Sequence, residues 1–221
     1  MQNPELKITE DGSHTLYVSE IDECYHSTHG AIQESKHIFI NAAFLQCNKN
    51  EINVLEIGFG TGLNAFLTLL EAEKQHKTIK YTSIELFPLE LKKSLSLNYP
   101  QLIDSSKQNE FERLHTSEWN TWTEITSYFL LKKINEDFTK LILQEKFDVI
   151  YFDAFSPEKQ PEMWTEEMFK KLYLSAEKNA VLTTYCCKGA VKRAMKAAGF
   201  NTEKIPGPIG KREILRARVV L

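Results

Sequence analysis

Val54-Leu-Glu-Ile-Gly-Phe-Gly-Thr-Gly62 decides the fold of this 221-residue chain. Ile52, Val54, Leu55 and Ile57 run into Gly58, Gly60 and Gly62, and Leu63, Ala65, Phe66, Leu67, Leu69 and Leu70 follow. The order reads as strand, glycine turn, helix. Backbone stripped of side chains can approach a ligand closely there, and the free N–H groups of the helix start point outward to meet it. The spacing is Gly-x-Gly-x-Gly rather than the G-x-G-x-x-G of dinucleotide-binding turns. It stands behind an acid, Glu56. A carboxylate beside the turn repels a pyrophosphate but can hold a cationic amino-acid group.

On either side of this stretch, strand and helix patterns alternate. Residues 6–19 alternate about Asp11-Gly12 and predict a hairpin. Ala31, Ile32, His37, Ile38 and Ala42 share helical faces, so one or two helices are expected before the strand at 52–57. A helix over 62–75 and a second strand over 80–86, with Glu85 at its end, come next. Pro88 is placed to open another helix. Residues 100–146 read less clearly: Trp119 and Trp122 lie in a polar stretch, and 128–134 has a strand pattern. Phe147-Asp-Val-Ile-Tyr-Phe-Asp153 is a buried strand ending in an acid. Helices near 164–178 and 188–198 alternate with strands at 180–186, 201–205 and 213–221. This is the pattern of a doubly wound, mostly parallel α/β sheet. We divide it into an N-terminal hairpin and helical extension, 1–48, and a main domain, 49–221.

Composition fits one well-buried domain: 42% apolar and 26% charged residues, with no apolar run near the roughly 20 residues of a membrane span. No basic head and apolar core mark a signal peptide. Cys24, Cys47, Cys186 and Cys187 fit no zinc spacing, and the pattern suits reduced thiols in the cytoplasm. His14, His26, His29, His37, His76 and His115 form no metal-binding pattern, so no metal is expected. Net charge is −3, but from Lys188 onward nine Lys and Arg face two acids, a local +7. Such a segment can concentrate a polyanion, or it can be a solvated face.

In a doubly wound sheet, ligands bind beyond the carboxyl ends of the strands at the switch point. The glycine turn, Glu85 and Asp153 therefore converge. Glu85 follows Gly62 at about the spacing of an acid that accepts from two ribose hydroxyls, which fixes a nucleoside but not which one. Asp153 opens Asp-Ala-Phe-Ser-Pro at a strand end. A carboxylate there can take or hold an amine's proton while Phe155 packs against the acceptor and excludes water. The same acid can instead bind a cofactor ammonium. Asp137, after the strand at 128–134 and before a helical Leu141-Ile-Leu, is placed to accept an adenine amino group.

The loop resembles that of S-adenosylmethionine-dependent methyltransferases, and from about residue 24 onward the chain resembles one family of them, the tRNA 5-methylaminomethyl-2-thiouridine methyltransferases. Four blocks carry the resemblance: His26-Ser-Thr-His-Gly-Ala-Ile-Gln-Glu-Ser35, Glu56-Ile-Gly-Phe-Gly-Thr-Gly-Leu-Asn64, Phe152-Asp-Ala-Phe-Ser-Pro-Glu-Lys-Gln-Pro-Glu-Met-Trp164 and Gly210-Lys-Arg-Glu-Ile214. The third is the most specific. The resemblance implies a class I methyltransferase fold with its last strand antiparallel. It implies S-adenosylmethionine bound by Glu56, Gly58, Phe59, Gly60, Gly62, Asn64, Glu85 and Asp137, with Tyr25, His26, Glu34 and Ser35 folding over it from the N-terminal side. Asp153 and Phe155 would face the acceptor amine, and Lys211 and Arg212, with Lys188, would face tRNA at its anticodon stem-loop.

In many bacteria this activity is fused to an FAD-dependent oxidase. Here no second glycine fingerprint is seen, so no FAD is expected, and a separate oxidase would supply the aminomethyl group. Glu136 stands where family members often carry glycine. Two other readings share the fold: a small-molecule or polyamine N-methyl- or aminopropyltransferase, and a non-catalytic nucleotide-binding module.

Overall fold

The computed structural model describes residues 4–219. Its main sheet has eight strands: β4 Glu51–Ile57, β5 Thr78–Ile84, β6 Trp122–Thr126, β7 Phe129–Ile134, β8 Phe147–Phe152, β9 Ala176–Thr184, β10 Asn201–Pro206 and β11 Glu213–Arg218. Their order is β10-β11-β9-β8-β4-β5-β7-β6. Neighbours from β7 through β9 are parallel, while β6 and the β10–β11 pair are antiparallel, with β11 inserted beside β9. The chain runs outward from β4 through β5 to β7, then returns to β8 on the other side of β4. That reversal makes the β4–β8 boundary the switch point.

Alternation along the central strands divides the core between the two faces of the sheet. Val54, Tyr81, Val149 and Tyr151 join one cluster with α2 (Leu63–Gln75) and α5 (Gln108–Thr116). Leu55, Ile57, Ile150 and Phe152 join the other with α6 (Glu166–Ser175) and α7 (Gly189–Ala197). Every residue of β8 is buried, as a parallel strand covered on both faces requires.

The N-terminal segment forms a three-stranded antiparallel sheet, β1 Glu5–Ile8, β2 His14–Val18 and β3 Glu23–Cys24. Its first turn is held by Asp11, whose Oδ1 accepts from the Thr9 hydroxyl and the Ser13 amide. Asp11 Oδ2 accepts from the Gln33 amide, tying that turn to α1, Ala31–Ser35. A wide π-helical turn, Lys36–Asn41, continues from α1. The Tyr99 hydroxyl donates to His14 O, fastening this segment to α4, Tyr99–Ile103.

Two sequence expectations need correcting. Pro88 lies outside any helix, and the next helix, α3, runs over Leu91–Ser94. Residues 141–144 have no regular secondary structure rather than being helical, with Leu141 and Leu143 half-buried and Ile142 exposed. In the stretch that read less clearly, Trp122 belongs to the edge strand β6.

Candidate active site

At the switch point the backbone ends of three strands lock together. Asp153 N donates to Ile57 O (3.0 Å), and Gly58 N donates to Ile84 O (2.9 Å). Gly58 has φ +95°, and a Cβ there would lie 2.7 Å from Asp153 O. Gly60 has φ +48°, and a Cβ there would meet the Tyr25 ring at 2.9 Å. Only glycine leaves this loop open while taking those conformations. Beside it lies a cavity of about 440 Å³, within the size range of small-molecule sites.

Gly58, Phe59, Gly60, Asn64, Glu85, Asp137, Asp153 and Phe155 line the cavity from the strand-end loops. Glu85 accepts from the amides of Gly60 (3.0 Å) and Phe87 (2.8 Å). Burial raises its pKa, and those amides oppose the rise. Asp137 Oδ1 accepts from the Thr139 amide and hydroxyl, and its Oδ2 pairs with Lys140 (3.1 Å). The Thr139 hydroxyl is the main influence holding its pKa low. Asp153 Oδ2 accepts from Asn64 Nδ2 (2.8 Å). Burial pushes Asp153 up to about 7, with the Asn64 bond and Lys211 opposing and Glu34 reinforcing.

The opposite wall comes from far along the chain. Tyr25 meets Phe155 edge-on at 5.1 Å. His26 Nε2 lies 2.6 Å from Thr61 Oγ1. Burial lowers the His26 pKa to about 4, so its ring is neutral at pH 7. Glu34 Oε2 accepts from the Ser27 amide (2.8 Å), while its Oε1 pairs with Lys211 Nζ at 2.6 Å. The same ammonium lies 4.4 Å from the centre of the Tyr185 ring. Ser35 also lines this wall, and its buried hydroxyl has no partner.

The sequence grouped four other residues with the site that do not line the cavity. Glu56 is fully buried beneath the loop, where Ser83 Oγ donates to its Oε2 (2.6 Å). Strand alternation turns it to the Val54 side, toward α2. Gly62 heads α2 against the His115 ring. Lys188 is paired with Glu158 outside the cavity, and Arg212 is exposed. Lys211, grouped with them as a surface residue, is a cavity residue.

Other contributors had no readable signal. Glu23 accepts from the amide and hydroxyl of Ser156 (3.1 and 2.8 Å), and the Tyr185 hydroxyl donates to Ala154 O (2.9 Å). Trp164 Nε1 donates to Phe155 O (2.8 Å), so the tryptophan ending the most specific sequence block braces the loop that starts with Asp153.

The residues present fit a sulfonium nucleoside. The loop would be filled by a Cβ at Gly58 or Gly60, and Glu85 follows the neighbouring strand, its carboxylate held beside the loop by the Gly60 amide. Asn64 keeps a buried Oδ1 with no donor. No group of three or more metal-ligating side chains is found among the described residues.

Such a sheet, with a bare turn and acids after neighbouring strands, defines a nucleoside-binding α/β transferase. The chain belongs to the S-adenosyl-L-methionine-dependent methyltransferase family, whose profile matches residues 104–219. It is similar to the tRNA 5-methylaminomethyl-2-thiouridine biosynthesis bifunctional protein MnmC of Marinomonas sp. (strain MWYL1), 27% identical over 236 aligned residues, covering 97% of this chain and 33% of that protein. The chain thus spans about a third of the length of the curated relatives it matches. The structure resembles MNMC2 from Aquifex aeolicus with TM-score 0.79 and 25% identity, over 98% of this chain and 70% of that one. Spermidine synthase from Thermotoga maritima shares the fold, with TM-score 0.56 and 13% identity over 97% of this chain and 71% of that one.

Proposed function

We propose that this chain methylates the primary amine of 5-aminomethyl-(2-thio)uridine at the tRNA wobble position, using S-adenosylmethionine. One observation carries the reading: the sequence block shared with that family is built around the cavity, its Trp164 bracing the Asp153–Phe155 loop. The likeness to MNMC2 over nearly the whole chain supports it.

In this reading Gly58–Asn64 and Glu85 hold the nucleoside, and Asp137 sits at the adenine end. The N-terminal segment, through Tyr25, His26, Glu34 and Ser35, caps them. When bound, S-adenosylmethionine supplies an electrophilic methyl carbon. Asp153 faces the acceptor nitrogen, orients its lone pair and takes the proton that nitrogen sheds as its new N–C bond forms. The Tyr25 and Phe155 rings exclude water and flank a base splayed from the anticodon loop.

Phosphate contacts fall to the unpaired part of the basic segment. Lys188, Lys204, Lys211 and Arg216 are in ion pairs, whereas Arg193, Lys196 and Arg212 are exposed. Among the described residues no helix is long and apolar enough to cross a membrane. A cytoplasmic setting and a separate FAD-dependent oxidase that supplies the aminomethyl group complete the proposal.

Nucleoside mass analysis of tRNA from a strain lacking the protein tests it. Accumulated aminomethyl-uridine, with methyl transfer by the purified protein to that tRNA and not to polyamines, is the expected result. An unchanged wobble profile, or transfer to polyamines alone, overturns it.

A further inference from the structure

The loop that starts with Asp153 is tied down residue by residue. Asp153 N donates to Ile57 O on β4 (3.0 Å), and Ala154 O accepts from the hydroxyl of Tyr185, just past β9 (2.9 Å). Phe155 N donates to Gln160 Oε1 (3.0 Å), and Phe155 O accepts from Trp164 Nε1 (2.8 Å). Ser156 donates twice to Glu23, its amide to Oε1 (3.1 Å) and its hydroxyl to Oε2 (2.8 Å). The first four ties come from the main sheet and from the loop's own continuation. The last comes from β3, 133 residues earlier in the chain.

The N-terminal sheet sets where Glu23 stands. Val18 and Glu23 are partners across β2 and β3. The turn between them carries Asp22 at φ +51°, a left-handed conformation that aspartate adopts more readily than most residues. The Tyr17 hydroxyl donates to Asp22 Oδ1 at 2.7 Å and holds that turn. Two residues beyond Glu23, Tyr25 N donates to Leu16 O (2.9 Å), and the Tyr25 ring meets Phe155 at 5.1 Å. Glu23 and Tyr25 thus address Ser156 and Phe155, neighbours in the loop, from one edge of a small sheet.

The Ser156 tie is the stronger of these two contacts. A carboxylate that accepts from an amide and a hydroxyl makes two charge-assisted hydrogen bonds, which exceed those to a neutral acceptor. Without Glu23 the Ser156 amide would lose its acceptor. Its carbonyl would still accept from the Lys159 and Gln160 amides (2.8 and 2.9 Å), but those belong to the same loop. The loop would then lean on the N-terminal segment through the Tyr25–Phe155 ring contact, which contains no hydrogen bond.

We propose that Glu23 is a positioning residue: by holding Ser156 it sets Phe155 against Tyr25 and so shapes the acceptor side of the cavity. The nucleoside side is held separately, through Gly58 N to Ile84 O and Gly60 N to Glu85. Asp153 keeps its tie to Ile57 whether or not Glu23 is present. The hold on the loop stands on the hydrogen bonds. Its consequence for methyl transfer rests on the function proposed above.

Glu23→Ala, Glu23→Gln, Ser156→Ala and the double variant Glu23→Ala/Ser156→Ala test the tie. Hydrogen exchange followed by mass spectrometry should speed up about tenfold in peptides covering 153–160 of Glu23→Ala, with those covering 57–64 unchanged. Calorimetry should give S-adenosylmethionine affinities within about threefold of wild type for every variant. With aminomethyl-tRNA, kcat/KM should fall about thirtyfold in Glu23→Ala and less than about fivefold in Glu23→Gln, which keeps one acceptor oxygen. The loss should lie mainly in KM for the tRNA, because Phe155 flanks the base while Asp153 stays in place. The double variant should be no worse than Glu23→Ala, since both substitutions remove the same tie. Unchanged exchange at 153–160, additive losses in the double variant, or cofactor affinity that falls as far as kcat/KM overturns the proposal. If the wild type does not methylate aminomethyl-tRNA, the functional reading fails, while exchange and calorimetry still decide for or against the tie. Should Glu23→Ala not fold, the same measurements on Glu23→Gln and Ser156→Ala decide.

Discussion

The two walls of the cavity are built by different physics. One consists of the loops after β4, β5 and β8, whose backbones hydrogen-bond to one another across the sheet edge. The other joins residues 25–37 to the 206–211 turn through side chains: the Glu34–Lys211 pair, whose ammonium also lies over the Tyr185 ring, and the His37 Nε2 contact to Pro206 O (2.8 Å). A backbone-built wall holds its groups in fixed places, which chemistry needs. A side-chain-built wall can part and re-form, which suits admitting a large substrate.

That contrast predicts a gradient of effects. Asp153→Ala should reduce single-turnover methyl transfer by about a thousandfold while near-ultraviolet circular dichroism stays native. A reduction under tenfold would remove the distinction between the walls. Gly58→Ala would push a Cβ against Asp153 O, and its cofactor affinity by calorimetry should fall about a hundredfold; retained affinity would mean that the loop is not the nucleoside cradle.

The wild-type rate should rise with pH and level off above about 7, falling about tenfold for each unit below. The sign follows from the raised Asp153 pKa: the active carboxylate is lost as pH drops through 7. A flat profile between pH 5.5 and 8 would contradict this. Reversing exposed charges on α7, Arg193→Glu with Lys196→Glu, should raise the KM for tRNA about tenfold at low salt and less at high salt, sparing cofactor affinity. The smallest effect belongs to the side-chain-built wall: Glu34→Gln should weaken substrate binding only about threefold, measured as KM with kcat nearly constant. A larger loss in kcat than in KM would place Glu34 with the fixed wall.

The backbone wall was legible from its own residues, whereas Tyr25, His26, Glu34 and Ser35 of the side-chain wall were named only through the family resemblance, and the partners they meet there were not. Buried parallel strands appear as short apolar runs, so β4, β5 and β8 and the residues at their ends could be placed from Gly58, Glu85 and Asp153 alone. The antiparallel edge was obscure because β6 is only partly buried and carries Trp122, Thr123 and Glu124. Glu56 shows how a motif can mislead. Its position beside the glycines suggested a ligand, whereas its parity with Val54 along the strand directs it inward. Lys211 looked like one more cation in a basic segment, because nothing near it in sequence announces Glu34. The tRNA family blocks were visible as a pattern, but the reason for Trp164 emerged only with its bond to Phe155 O.

The seam between residues 25–37 and 206–211 has a consequence for how the protein matures. Its two sides are separated by most of the chain, and β11, which follows the turn, lies between β9 and β10. Closing the seam therefore brings together contacts of high sequence separation, whose loop-closure entropy slows their formation. A ligand that touches both flanks is expected to report, by its capture, whether the fold has been completed.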